Sequence, residues 1–266
     1  MSTAPATAKS VYQFPRYYAI GYRWNTEAEC DFLEACVSAH RSRKASTMLD
    51  IGCGAGRHLL GMAKRGYTVS GFDVRPEMVA YVQQQAKDAQ LPVDARVADI
   101  RDMNLSGRHD LAVCLMDTFR YLLTNDDIIR HFREIAEHLT PGGLYVTDFW
   151  IPAKWDQTAN EIYQWEQTEG RTTVKVFYLQ HPETIDPVAQ TFEDELVFVV
   201  DDRGEHHEIR GERTRTRLIL PQEFRALVDA SGAFDVADTF AEFDRDKRMS
   251  PACMSWRMIS VLKKRD

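Results

Sequence analysis

Long hydrophobic runs are missing from this chain. No stretch approaches the ~18 consecutive apolar residues that a membrane span needs. The opening residues, MSTAPATAKS, have no apolar segment of the kind a secretory leader carries. Basic residues are in the minority: 33 Lys and Arg stand against 40 Asp and Glu, for a formal net charge of −7. Non-specific binding to nucleic acid or to anionic lipid draws on a basic surface, so this balance argues against both. Cysteine is sparse and unpaired in pattern. The five residues Cys30, Cys36, Cys53, Cys114 and Cys253 are odd in number and form no C-x-x-C pair. That excludes an obvious disulfide framework or zinc site and suits small buried hydrophobes in a reducing compartment. No other metal-ligand set is visible, and internal repeats are absent. A cytoplasmic protein is expected, with no membrane contact. A homodimer is left open.

What is present alternates. Apolar runs at Met48–Ile51, Val69–Phe72, Ala95–Ala98, Leu111–Met116 and Leu144–Phe149 are separated by helical patterns near 57–65, 76–90 and 126–139. The third pattern places Ile128, Ile129, Phe132, Ile135, Ala136 and Leu139 on one face, and TPGG at 140–143 reads as its stop. A further helix precedes the first strand, with Thr26 and Glu29 in capping-box spacing. Short apolar strands alternating with helices predict a parallel sheet covered on both faces. After Trp150 the texture changes to consecutive strands: EIYQWEQTEG, RTTVKVFYLQ, QTFEDELVFVV and EHHEIRGERTRTRLIL. A helix, LPQEFRALVDASG, and two strands, FDVADTF and MSWRMISVLKK, close the chain. The expected organisation is a disordered tail over 1–15, an α/β core over 16–150, an antiparallel β insertion over 151–219, and the end of the core over 220–266.

The motif that carries chemistry is TMLDIGCGAGRH at 47–58. A strand ending near Asp50 runs into Gly52, Gly54 and Gly56, with Cys53 between them, and then into a helix. Glycine permits positive φ and close approach of a ligand to the backbone. The spacing is G-x-G-x-G, with Arg57 where a dinucleotide fingerprint has its third glycine, and G-K-[ST] is absent. This speaks against an NAD-dependent oxidoreductase and a P-loop. Asp50 would repel a pyrophosphate but welcome an ammonium group. Asp73, ending VSGFD, stands ~20 residues on, where an acid commonly meets ribose hydroxyls. Asp99, in VADI, can accept a hydrogen bond from an adenine amino group. Ammonium, ribose and adenine, read from successive strand ends, describe S-adenosylmethionine.

LDIGCGAGRH, GFDVRPEMV, ADIRDM and HLTPGGLYVTDF, over about residues 47 to 149, resemble the successive motifs of class I S-adenosylmethionine-dependent methyltransferases. The resemblance implies a Rossmann-like seven-stranded sheet whose last strand is antiparallel. It implies S-adenosylmethionine as donor and S-adenosylhomocysteine as product. The aromatic N-terminal segment and the P-x-E-F-x-x-L helix after the insertion are similar to small-molecule N-methyltransferases, such as glycine N-methyltransferase and the sugar N,N-dimethyltransferases. That closer likeness implies that the β insertion lies over the active site as a lid. The family motifs put Asp50, Gly52, Cys53, Gly54, Gly56, Asp73, Val74, Met78, Asp99, Ile100, Met116, Asp117 and Tyr22 around the donor. Met78 reads equally well as core.

Two departures from the family pattern stand out. Arg75 takes the position of a Ser or Thr helix cap, and DTFR at 117–120 replaces NSFG. Candidate catalytic residues are Asp117, at the end of the fourth strand, and Tyr18. Tyr17, Tyr121, Trp150 and Arg217 are candidates for contact with the acceptor. His206 and His207 face opposite sides of a strand and are read as solvated. Arg213, Arg215 and Arg217 share a face and pair either with an acidic substrate or with the acids of FEDELVF on the neighbouring strand. The expected reaction is methyl transfer to N or O of a small molecule. A macromolecular acceptor and a non-catalytic binding protein are the alternatives. An N/D-P-P-Y/F motif for exocyclic base amines is missing.

Overall fold

The computed structural model describes residues 10–103, 106–151, 162–251, 253 and 255–265. In chain order its elements are α1 (Pro15–Gly21), α2 (Thr26–His40), β1 (Thr47–Ile51), α3 (Arg57–Lys64), β2 (Thr68–Asp73), α4 (Pro76–Asp88), β3 (Val93–Val97), β4 (His109–Cys114), α5 (Asn125–Glu137), β5 (Leu139–Trp150), β6 (Ile162–Glu169), β7 (Thr172–Asp186), β8 (Thr191–Asp202), β9 (Glu205–Arg210), β10 (Thr214–Arg217), α6 (Pro221–Ser231), β11 (Phe234–Phe240) and β12 (Arg257–Lys264). Seven strands form one sheet in the order β11-β12-β5-β4-β1-β2-β3. The last strand, β12, runs antiparallel to both of its neighbours. This is the Rossmann-like sheet that the motif order implied.

Period-two alternation explains why this sheet is buried on both faces. Met48 on β1 joins the core under α2 and α3, while Leu49 and Ile51 join the core under α5 and α6. Leu111 and Val113 on β4 likewise point to the first side, Ala112 and Cys114 to the second. Asp50 shares the Met48 side, so the pattern drives a carboxyl into the α3 face of the core, where it is 3% exposed. The second face is dense in aromatics. Phe132 of α5 lies between Phe119, Phe224, Phe234 and Tyr145, with ring centroids 5.5–6.3 Å apart.

The antiparallel insertion is a second sheet, ordered β10-β8-β7-β6, with β9 added on β8. Its apolar side (Val174, Val176, Phe198, Val200) packs against Val11, Ile20 and Tyr22 of the N-terminal segment. The approach is close at Gly21, where an added Cβ would stand 2.8 Å from Val176 Cγ2. Order therefore reaches further toward the N-terminus than the expected tail. Ser10 caps a 3-10 turn at Val11–Gln13, and α1 starts at Pro15; residues 1–9 lie outside the described residues.

Three local expectations are corrected. The cap of α2 is Asn25, whose side chain accepts the Ala28 N–H, while Glu29 turns inward to His58 and Arg57. TPGG does not separate helix from strand. Helix α5 ends at Glu137, and β5 already starts at Leu139 opposite His109; 140–143 is an irregular stretch before regular pairing with β4 and β12 resumes at Leu144. The segment read as one strand over 205–220 is two, β9 and β10. Gly211 breaks it where its N–H bonds Leu196 O and a Cβ would meet that oxygen at 2.8 Å. Glu161 and Met254, at the ends of two expected strands, lie outside the described residues. Among the described residues, no helix is long and apolar enough to cross a membrane, and no three His, Cys, Asp or Glu side chains group as metal ligands.

Candidate active site

The carboxyl ends of β1, β2, β3 and β4 converge on two clefts and a chamber. One cleft, about 280 Å³, is lined by Asp50, Gly52, Cys53, Gly54, Arg57, His58, Tyr22 and Arg23, among others. The second, about 320 Å³, is lined by Gly52, Asp73, Val74, Arg75, Asp99, Ile100 and Arg101, with Tyr12 and Tyr121 on its far side. The chamber, about 310 Å³, lies beneath the second sheet. Its walls are Tyr12, Tyr18, Tyr22, Trp24, Tyr121, Trp150, Tyr163, Trp165, Tyr178 and Trp256, and Asp117, Arg120, Asp194 and Thr216 supply polarity. Tyr18 and Met116 border all three spaces.

The glycine loop is shaped as its sequence requires. Gly52, Gly54 and Gly56 all have positive φ, at 67°, 52° and 80°. A Cβ on Gly52 would collide with Thr118 Cγ2 at 2.4 Å, and one on Gly56 with Val82 Cγ2 at 2.7 Å. Gly54 is different: its nearest neighbour would be the Tyr18 ring at 3.5 Å, so the space beside it is cleft. Asp73 ties this loop to β2. Its Oδ2 accepts the Gly54 N–H and its Oδ1 the Arg75 N–H, both at 2.9 Å. Burial nonetheless lifts the Asp73 carboxyl above its ordinary range. Arg75 gives α4 no side-chain cap and instead lies over the Tyr12 ring, 5.5 Å from its centroid.

Asp50 is the most perturbed acid here. Burial, followed by the Asp73 charge, raises its carboxyl from 3.8 to about 7, against the Leu59 N–H and the Arg57 guanidinium. Its Oδ2 is buried with no hydrogen-bond partner among the described residues. Leaving such an oxygen unmet costs about 1–3 kcal/mol or more, and a cationic ligand in the adjoining cleft would meet it. The open space at Gly54 and the unmet Asp50 oxygen thus fit a donor with an ammonium end.

Asp99 borders the second cleft, but Arg101 holds it, Nε to Oδ1 at 2.9 Å and Nη2 to Oδ2 at 2.6 Å. That pair lowers its carboxyl. Met78 is fully buried and borders neither cleft. The core reading of Met78 is therefore the better one.

Met116 and Asp117, consecutive non-glycine residues, both have positive φ, at 61° and 64°. Such strain persists only where neighbours hold it. Asp117 Oδ1 accepts the Trp150 N–H at 2.5 Å, the Asp117 N–H reaches Asp148 Oδ1 at 3.4 Å, and Oδ2 stands 3.5 Å from Arg120 Nη1. Tyr18 and Tyr22 stack at 4.3 Å. Burial raises both phenols well above 10, which favours their protonated form.

Two acceptor-side expectations are not met. Tyr17 turns away from the chamber and donates to Asp202 Oδ2 at 3.1 Å. Arg217 is buried outside the chamber, bonded to Glu223 at 2.6 Å, Asn125 at 2.6 Å and Leu123 O at 3.2 Å. Arg215 pairs with Glu193 at 2.9 Å, a FEDELVF acid, and His206 and His207 are exposed on β9. Tyr121 and Trp150 do line the chamber.

Sequence reasoning missed Tyr12, Tyr178, Asp194 and, above all, Arg120. Arg120 is 1% exposed and lies over the Phe192 ring at 5.0 Å and the Trp150 ring at 5.5 Å. Its Nε donates to Arg217 O at 2.9 Å, Nη1 to Tyr178 Oη at 3.2 Å and Nη2 to Thr216 Oγ1 at 2.6 Å. Asp194 Oδ2 is 3.8 Å from Nη2 and accepts from both Tyr178 and Thr216. Burial opposes the Arg120 charge, but the oxygens of Tyr178, Asp117 and Asp194 more than offset it. The available signal was an arginine inside the apolar run TFRYLL, since a buried arginine is rare unless paired.

Comparison with known proteins agrees with this geometry. Residues 48–143 match the family model described as a methyltransferase domain. The dTDP-4-amino-2,3,4,6-tetradeoxy-D-glucose N,N-dimethyltransferase of Saccharopolyspora spinosa is 33% identical over 115 residues, which are 43% of this chain and 45% of that enzyme. The match to that enzyme thus spans less than half of either chain. The dTDP-3-amino-3,6-dideoxy-α-D-glucopyranose N,N-dimethyltransferase of Streptomyces fradiae is 28% identical over 202 residues, 75% of this chain and 74% of the other. An S-adenosylmethionine-dependent methyltransferase structure from Clostridium acetobutylicum superposes with a TM-score of 0.78 at 18% identity, covering 95% of this chain and 98% of that one; at that identity it shows the fold. The chain therefore carries a methyltransferase domain over residues 48–143 and shares the fold of S-adenosylmethionine-dependent methyltransferases.

Proposed function

We propose that this enzyme methylates an amine nitrogen of a small molecule seated in the aromatic chamber. One observation carries the reading. The chamber lies under the second sheet and the N-terminal segment, and it meets both donor clefts at Tyr18 and Met116. A covered space of about 310 Å³ suits a small acceptor, while a macromolecule needs an open approach. The two N,N-dimethyltransferase relatives, whose names specify amino sugars, support a nitrogen acceptor.

The bound cofactor supplies a methyl group already activated on a sulfonium. The chain's residues then have three tasks. In the donor clefts, Asp50 would meet the ammonium end, the Gly52–Gly56 loop would give the backbone close approach, and Asp73 would face the ribose. Val74, Ile100 and Asp99 border the adenine. Arg101 must share Asp99 or swing outward, which its exposed position allows. In the chamber, the rings of Tyr12, Tyr18, Tyr22 and Tyr121 exclude water and attract a cation over their faces. At the junction, Asp117 Oδ2 orients the acceptor ammonium and takes its proton, freeing the lone pair for in-line attack. The carboxyl end of β4 and the strained backbone at Met116 and Asp117 aim that carboxylate. A phenolate or carboxylate acceptor would approach Asp117 and Asp194 with like charge, which favours nitrogen over oxygen.

Release of S-adenosylhomocysteine with a panel of primary and secondary amines, beside matched alcohols, tests the reading. Asp117→Asn is expected to cut kcat about 10²–10⁴-fold, as loss of a general base does. An unchanged kcat would show that Asp117 takes no proton.

A further inference from the structure

We infer that the acceptor carries no carboxylate or phosphate near its reacting nitrogen, because the chamber's one described cation is already spent. The inference rests on the amine reading above and narrows it, separating simple amines and amino sugars from amino acids.

The argument is a donor count. A guanidinium has five N–H donors and no acceptor. Around Arg120 stand four hydrogen-bond acceptors, Arg217 O, Tyr178 Oη, Thr216 Oγ1 and, at 3.5 Å, Asp117 Oδ2, and one further ion-pair oxygen, Asp194 Oδ2 at 3.8 Å from Nη2. The Phe192 and Trp150 rings lie under its π-faces. The one N–H without a hydrogen bond is on Nη2, where Asp194 Oδ2 stands 3.8 Å away, so an incoming anion would meet like charge there. Thr216 and Tyr178 cannot turn to one cheaply either, since both hydroxyl protons point to Asp194 Oδ2, at 2.9 and 2.7 Å. The described charged side chains lining the chamber are thus two acids and one committed arginine. Arg75, Arg101 and Arg215 border the donor cleft beyond the Tyr12–Tyr121 hydroxyl contact of 3.2 Å, and Arg57 and Arg257, which lie over the Trp24 and Trp256 rings of the chamber wall, are paired with Glu29 and Asp148. An α-carboxylate beside the reacting nitrogen would be desolvated without a donor and would face Asp117 and Asp194. An ammonium group without it meets those acids and the aromatic faces. Arg120 is therefore a specificity-determining residue that acts by being unavailable.

Tryptophans 24, 150 and 165 line the chamber and report its occupancy by fluorescence. The full chain, saturated with S-adenosylhomocysteine, is titrated with 2-phenylethylamine and with phenylalanine, which differ by one carboxylate. The amine is expected to bind about 100-fold tighter, the discrimination typical when a site leaves a buried charge unpaired. Asp117→Asn and, separately, Asp194→Asn each remove one negative charge that faces Arg120 and the acceptor. Each is expected to lower that ratio about tenfold, with thermal unfolding checking that the variant remains folded. A ratio within threefold of unity in the unsubstituted chain, absence of binding by both compounds at 10 mM, or an unchanged ratio in both variants would overturn the inference. Selective binding of amines with no methyl transfer to any of them would leave it standing and overturn the proposed reaction instead.

Discussion

Asp50 offers the sharpest test of the donor site. Burial holds its carboxyl at about 7 in the ligand-free protein, against 3.8 in an unfolded chain. The native state therefore keeps a proton that the unfolded chain has already released between those two values. Stability of the free protein falls as pH rises through that window, by ~4 kcal/mol in all at ~1.4 kcal/mol per tenfold change. Asp50→Asn should flatten this slope and leave the free protein more stable at pH 8. Binding reverses the preference. An ammonium group beside Oδ2 favours the carboxylate, so the proton must leave as the ligand enters. From a carboxyl at about 7, binding at pH 6 should release about 0.9 proton per ligand, and at pH 8 about 0.1. Affinity should be about tenfold weaker at pH 6 than at pH 8. S-adenosylhomocysteine is the suitable probe, because it keeps the ammonium end and is not consumed. Calorimetry in buffers of different ionisation enthalpy counts the protons. Equal heats in all buffers at pH 6, or the same proton release from Asp50→Asn, would refute the assignment of Asp50 to the ammonium.

Other consequences follow from the same geometry. Gly54→Arg should abolish S-adenosylhomocysteine binding by filling the cleft beside the Tyr18 ring, with the melting temperature reporting the smaller strain at a φ of 52°; unchanged affinity by calorimetry would remove the loop from the donor site. Asp73→Ala should weaken the same binding by roughly 1–3 kcal/mol, since it removes a carboxylate facing the cleft and frees the Gly54 and Arg75 N–H groups. Phe132→Ala should cost about 3–5 kcal/mol in denaturant unfolding, because four aromatic neighbours fixed in the core cannot collapse into the void; a cost below ~1 kcal/mol would contradict the close packing of that face.

The legible parts of the molecule are those whose cause is local. Alternation within Met48–Ile51 and Leu111–Cys114 fixes which residues enter each face of the sheet, because a strand's side-chain period is two wherever the strand lies. The loop is legible because Gly52 and Gly56 need positive φ and abut Thr118 and Val82, conditions that no other side chain meets. Asp50 and Asp73 follow from the strand ends that precede them. Even so, the contact of Asp73 with the Gly54 N–H, which ties two strand ends together, could not be seen in either motif alone.

Tertiary structure decided what required distant segments to meet. A proline-glycine pair favoured a helix stop at 140–143, yet α5 ends earlier and Leu139 already pairs with His109 of β4 before that stretch. Arg217 looked available and became a buried partner of Glu223. Arg120 stood out in the sequence only as part of DTFR, and β7, β8 and β10 enclosed it. The sequence by itself determined the cradle for the donor, since one strand, one loop and one helix start encode most of it. Only the packing of the second sheet over the core determined the acceptor chamber. Its walls come from residues more than a hundred positions apart, and no spacing rule records which of their charges will be cancelled when they touch.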